Sequence, residues 1–219
     1  MKREVGRLVR LFIGLFTYAI GIVLTMQAHI GYSPWDVFHA GLSALFSVKI
    51  GSMTVIVGLL VGLIVLLGGE KIGVGTISNM VVIGLFINVL LDSGLFPERV
   101  HPVSGAIQMI GGLFVISFAS YLYISSGYGA GPRDSLMVFL SRKTGWSAGT
   151  CRGLLEVAVS FIGFLFGGML GWGTLLSAVL IGFCIQITFR AMRFDPKKVH
   201  HETMVDSYQR LRRYFTRVR

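Results

Sequence analysis

Charge is scarce in this chain. Only 14% of its 219 residues are Asp, Glu, Lys or Arg, against roughly 25% in a soluble domain, and a polar globular surface is excluded. Cysteine is nearly missing as well: Cys151 and Cys184 lie in or beside apolar stretches without a pairing pattern, so they are small packing residues and no disulfide framework exists. There is no His-Glu-x-x-His, no Cys/His ligand spacing, no phosphate loop and no nucleophile elbow. We therefore expect no metal, no cofactor and no catalytic residue, and the chain is not expected to be an enzyme. The pair His200-His201 belongs to a solvated tail. Acidic residues number 10 against 20 basic ones, but the basic residues flank apolar runs instead of forming an aromatic-interleaved surface, which excludes nucleic acid as the partner.

What is abundant is apolar length. The chain is 53% apolar, with a mean hydropathy of +0.74 and 29 glycines. Apolar runs extend over Leu11 to Ala28, Ile50 to Gly68, Ile72 to Leu91, Val103 to Ser125, Gly149 to Gly168 and Gly171 to Arg190, each near the roughly 20 residues that cross about 30 Å of hydrocarbon. Lys2, Arg3, Arg7 and Arg10 ahead of the first run resemble the start of a signal peptide, but the run is long and lacks a small-x-small cleavage site, so it is expected to be a retained span.

One element occurs twice, as Gly31-Tyr32-Ser33-Pro34-Trp35-Asp36 and as Gly129-Ala130-Gly131-Pro132-Arg133-Asp134. Proline suits the first helical turn, where its missing N–H would go unpaired, and an acidic residue there complements the positive helix end. Both copies predict helix starts, over 33–47 and 131–142, with Ser33 as N-cap, Asp36 completing a box-like start, and Gly131 as a weaker cap. Trp35, Phe38, Leu42, Leu45 and Phe46 share one face of the first helix while Asp36, His39, Ser43 and Ser47 lie largely away from it, an amphipathic pattern. Helices this short lie at an interface or dip partway into the bilayer. The same 98-residue offset superimposes Gly14-Leu15-Phe16 on Gly112-Leu113-Phe114, Gly51 on Gly149, Gly73-Val74-Gly75-Thr76 on Gly171-Trp172-Gly173-Thr174, and Ile83-Gly84 on Ile181-Gly182.

The expected fold is an all-α polytopic membrane protein. A first repeat over 1–95 and a second over 104–193, joined by a linker over 96–103, each hold three spans and a short amphipathic or partly inserted helix. Residues 194–219 form a basic tail. Because three is odd, the two copies must face opposite ways across the bilayer. Six spans leave only Lys49 and Arg99 of the basic residues outside and put both termini in the cytoplasm of a plasma membrane. An eight-span arrangement, with parallel copies, satisfies the charge rule equally, and helix length is what favours six. In the tail, Val205, Tyr208, Leu211, Phe215 and Val218 make an apolar stripe among arginines, suited to an anionic lipid surface.

The paired G-x-x-P-x-D elements, the Gly-x-Gly-Thr turns and the basic tail resemble the YitT/YczE family of bacterial integral membrane proteins over roughly Arg7 to Arg193. The resemblance implies a polytopic protein of the bacterial plasma membrane and supplies no activity.

Polar residues inside apolar spans mark candidate sites. Asp36 and Asp134 stand at helix starts that can present free N–H groups to a ligand between the halves, or simply cap their own helices. Arg133 takes the place that Trp35 has in the first copy, as an anion-binding group or as a positive-inside residue. Arg152 and Glu156 are spaced to pair on one helix, and Glu156 is either a proton carrier or part of that pair. Asn79 and Asn88, with counterparts Ser177 and Gln186, suit hydrogen bonds between helices, and Gly58, Gly62, Gly149 and Gly153 suit close packing, within the chain or in a homodimer. The expected substrate-binding residues are Ser33, Trp35, Asp36, Arg133, Asp134 and Glu156. They point to a transporter-like protein, in contact with lipid, that binds or moves a small anionic or amphiphilic solute between two inverted halves. The alternative is a membrane anchor or regulator of a cytoplasmic partner acting through the tail.

Overall fold

The computed structural model describes residues 2–129, 131–199, 202–204 and 206. They form eight α-helices: α1 (Lys2–Met26), α2 (Pro34–Phe46), α3 (Ile50–Leu67), α4 (Val74–Asp92), α5 (Pro102–Ser125), α6 (Pro132–Thr144), α7 (Ala148–Leu165) and α8 (Trp172–Ala191). No strand occurs among the described residues. Six of these helices, all but α2 and α6, are long and apolar enough to cross a membrane. At 13 residues each, α2 and α6 reach about 20 Å at 1.5 Å per residue, short of the hydrocarbon thickness. Large side chains such as Leu67, Val157 and Leu175 stand exposed around the bundle, where they meet lipid.

The buried side chains fall into two clusters. One is built on α1, α4, α5 and α8, with Leu15, Val23, Ile87, Met109 and Leu113 at its centre. The other gathers Trp35, Met53, Val57, Val65, Leu136 and Val159 from α2, α3, α6 and α7. Helices α1 and α5 form the most extensive seam. There Gly14 lies against Tyr123 and Gly112 against Thr25, which is one contact made twice, since Gly112 follows Gly14 and Tyr123 follows Thr25 by 98 residues.

The same offset recurs in the turns. Gly75 N–H donates to Tyr128 O at 2.8 Å, and Gly173 N–H donates to Ile30 O at 2.8 Å. Left-handed residues match in the same way: His29 with Gly127, Gly31 with Gly129, Ser47 with Gly145, Gly69 with Gly167. At Gly31 a side chain is excluded twice over, by its φ of 115° and by the backbone of Gly171 directly against it. A β-carbon would therefore cost both strain and packing.

One expectation needs correction, and another gains a direction. Ser33 occupies the N-cap position of α2, but its side chain accepts no backbone N–H; its hydroxyl donates to the Asp36 carboxylate instead. The polar face of α2 turns inward. Asp36 and His39 are buried, at 3% and 2% exposure, while Leu45 and Phe46 are exposed. In lipid the apolar side needs no shelter, and the polar groups turn inward to find partners.

Beyond α8 the chain turns back under the bundle. Glu202 N–H donates to Gly127 O at 2.8 Å, Met204 N–H donates to Ile72 O at 3.1 Å, and the Glu202 carboxylate meets Arg7 at 2.7 Å. Thr203 and Asp206 then cap each other's backbone in the manner of a helix start. The stripe of Val205, Tyr208, Leu211, Phe215 and Val218 lies outside the described residues.

Candidate functional site

The first turns of α2 and α6 approach one another inside the bundle, because each begins with a proline that follows an extended, left-handed glycine turn. Between them and the long helices lies a cavity of about 160 Å³, room for several waters or a small solute. All six expected binding residues, Ser33, Trp35, Asp36, Arg133, Asp134 and Glu156, line it.

The lining is organised in equivalent pairs. Asp36 and Asp134, Trp35 and Arg133, Asn79 and Ser177, Ile83 and Ile181 all face the same space. The guanidinium of Arg133 sits over the Trp35 ring, 5.0 Å from its centroid, so the two residues at one position of the duplicated element touch each other. Such a cation over an indole contributes about 2 kcal/mol when it is desolvated.

The pairs match in place but not in charge. Thr54 and Gly58 of the first copy face the cavity where the second copy places Arg152 and Glu156. The latter two are paired at 3.0 Å along α7, as their spacing predicts. One wall therefore carries Arg133, Asp134, Arg152 and Glu156, and the other holds Asp36 and His39 among polar, aromatic and aliphatic side chains.

A connected polar group lies on the first-copy side. Ser33 Oγ donates to Asp36, the other Asp36 oxygen is 3.6 Å from His39 Nδ1, and that nitrogen is 3.3 Å from Thr54 Oγ1. Because the Thr54 hydroxyl donates to Ile50 O at 2.9 Å, its oxygen faces His39 as an acceptor, which places a proton on Nδ1. On the second-copy side Tyr123 reaches Asp134 and the backbone of Gly131. Asp36 is thus more than a cap for its own helix.

His39, Thr54 and Tyr123 were not among the expected site residues. The i, i+3 spacing of Asp36 and His39 was the available signal for the first. The others carry no motif, and only the tertiary fold brings them in. Asn88, read as a partner for a neighbouring helix, accepts from Gly51 N–H at 2.9 Å and donates to Ser52 Oγ at 2.9 Å. Gly58 and Gly62 pack against Met80, whereas Gly153 has nothing within 4 Å of an added Cβ. Among the described residues no group of three His, Cys, Asp or Glu side chains is placed to hold a metal.

A family model described as a family of unknown function, DUF6198, matches residues 5–190. The chain is similar to the uncharacterized membrane protein YczE of Bacillus subtilis (strain 168), 36% identical over 191 residues, covering 86% of this chain and 88% of that protein. It is also similar to an uncharacterized protein of Haemophilus influenzae, 32% identical over 80% of each chain, and to the uncharacterized protein YyaS of Bacillus subtilis, 25% identical over 80% of this chain and 88% of that one. No solved structure matches.

Proposed function

We propose a function from the premise that the chain belongs to the family of unknown function DUF6198, with YczE-like membrane proteins as its relatives: it binds or moves a small anionic or amphiphilic solute in the cavity between two related halves, without a chemical reaction. The observation that carries this reading is the cavity itself, lined by equivalent residues of both copies yet charged mainly on one side. Four charged groups on one wall, facing a wall where Asp36 stands among aromatic and aliphatic side chains, suit a ligand with a polar end and an apolar body.

The inverted arrangement is supported by the odd number of long helices in each copy and by the exchangeable packing partners. α1 packs on α4 as α5 does on α8, and α2 packs on α7 as α6 does on α3. With the basic ends of α1 and α8 in the cytoplasm of a bacterial plasma membrane, Ser47 and Ser141 fall on opposite faces. A cysteine at Ser47 should react with an impermeant maleimide on intact cells and a cysteine at Ser141 only after lysis; labelling of both from one side would overturn the inversion.

Solute binding is tested by screening small carboxylates, phosphates and short-chain amphiphiles for a raised melting temperature, since a ligand of the folded state stabilises it by about 2.7 kcal/mol at 100 times its Kd. Any stabilising compound should lose its effect in Asp36→Asn and Asp134→Asn. Unchanged stabilisation in both variants would remove the two carboxylates from the site.

The anchor reading is separated by shortening the tail. Because Glu202 and Met204 bond to the bundle, the deletion should begin at residue 207. Removing 207–219 should leave solute-dependent stabilisation as it was, and would abolish the activity of an anchor.

A further inference from the structure

Two helix pairs flank the cavity, α3 with α4 and α7 with α8, and they hold equivalent residues without making equivalent contacts. α3 and α4 cross at Gly51 and Gly84, so closely that a Cβ on either would overlap the carbonyl oxygen of the other. Both glycines are buried. Asn88 bonds to Gly51 N–H and Ser52 Oγ, and Lys49 pairs with Asp92 just beyond. Together these groups hold α3 shut against α4, as a seal would.

The 98-residue offset gives the counterpart set: Gly149 for Gly51, Thr150 for Ser52, Gly182 for Gly84, Gln186 for Asn88. All four are exposed, and α7 and α8 make at most glancing contact. An added Cβ would meet nothing within 4 Å at Gly182, and at Gly149 only Ser147 Oγ at 3.9 Å. Gln186 has no hydrogen-bond partner among the described residues, although it stands within the apolar run of α8. Small residues that admit close backbone approach, and an amide able to bond across helices, are the groups by which helices associate in lipid. The second pair therefore carries the parts of a seal that is not made here.

We propose that α7 and α8 close through Gly149, Thr150, Gly182 and Gln186 as α3 and α4 part, so that the cavity opens toward one end of the bundle and then the other. The proposal rests on the solute reading and deepens it from holding a solute to carrying one. The linkage between the two events is built into the packing. α2 is docked on α7 where Gly41 meets Gly163, and α6 on α3 where Phe139 meets Gly68, so each short helix travels with a long helix of the other half. The glycine and amide contacts given up by α3 and α4 are replaced by their counterparts, and only the exposed Lys49–Asp92 pair goes without one, a small difference for a ligand to offset.

The test uses the full chain in membranes, with Cys151→Ala and Cys184→Ala as background, and oxidative cross-linking of two cysteine pairs. Ser52→Cys with Asn88→Cys should cross-link readily. Thr150→Cys with Gln186→Cys should cross-link in a fraction of molecules, and a protein carrying both pairs should form one bond or the other. Gly182→Ala should keep its melting temperature, because space is open there, yet lower the α7/α8 cross-link about five-fold or more, as expected for a shift on the order of 1 kcal/mol. If the paired variant fails to fold, Thr150→Cys alone reports closure as protection from a bulky maleimide. Full labelling at all times, no α7/α8 cross-link, or both bonds in the same molecules would overturn the proposal. A solute that stabilises the protein while α7 and α8 never cross-link would defeat the alternation alone; cross-linking without any stabilising solute would support the alternation and defeat the solute reading.

Discussion

Gly163→Leu should leave little folded protein, and even Gly163→Ala should cost about 2 kcal/mol. A Cβ at Gly163 would stand 2.5 Å from backbone atoms of Phe38 and Val37, and helix backbones cannot retreat as a flexible side chain can. The partner surface is equally tight, since Gly41 meets the Gly163 carbonyl and Gly168 meets the Val37 carbonyl. α2 would have to lift from α7, and its first two turns carry Trp35, Asp36 and His39 into the cavity. The checks are the monodisperse fraction in detergent and the melting temperature. Gly111→Ala and Gly153→Ala, where nothing lies within 4 Å, should be neutral or slightly stabilising because alanine is the better helix former. A Gly163→Leu protein that melts like those controls would show that α2 is not held by this contact.

Arg133→Leu is the second large effect expected, about 2 kcal/mol of stability, the scale of a desolvated cation over an indole. The charge of Arg133 acts on both Asp36 and Asp134, the carboxylates at the two helix starts, and its guanidinium covers Trp35. Removing it leaves two inward-facing carboxylates with less compensation. Because the loss includes stranded charge, the double variant Arg133→Leu with Asp134→Asn should be more stable than Arg133→Leu alone, and the double-mutant cycle gives the coupling. Arg133→Lys should fall between, about 1 kcal/mol down, since an ammonium keeps the charge but lacks the planar group that stacks. An additive cycle would mean that Arg133 and Asp134 do not interact.

The duplication was legible because its markers are backbone requirements. Gly31 and Gly129 hold turns that side chains rarely adopt, Pro34 and Pro132 open helices, and Gly75 and Gly173 lie directly against another loop; such positions accept few alternatives, so the match survives in the letters. Arg152 with Glu156 was legible as well, since four residues of helix suffice to bring them together. His39 was not, because the letters show that α2 has a polar face without showing which way it turns, and only the packed bundle brings that face inward. Thr54 and Tyr123 could not be found from spacing at all: each is an isolated polar residue in an apolar run, joined to its partner only when α3 packs beside α2 and the turn after α5 brings the start of α6 back to Tyr123. The unequal closure of α3/α4 and α7/α8 is likewise beyond the letters, since the two pairs hold matching glycines.

The stack of Arg133 on Trp35 bears on how such a chain could arise. A residue that meets its own counterpart across a symmetry axis faces an identical side chain when the two halves are separate copies of one gene product. An arginine there would confront an arginine and a tryptophan a tryptophan, and the mixed pair would be out of reach. Once both halves are joined in one reading frame each position mutates independently, and a complementary couple can settle at the centre.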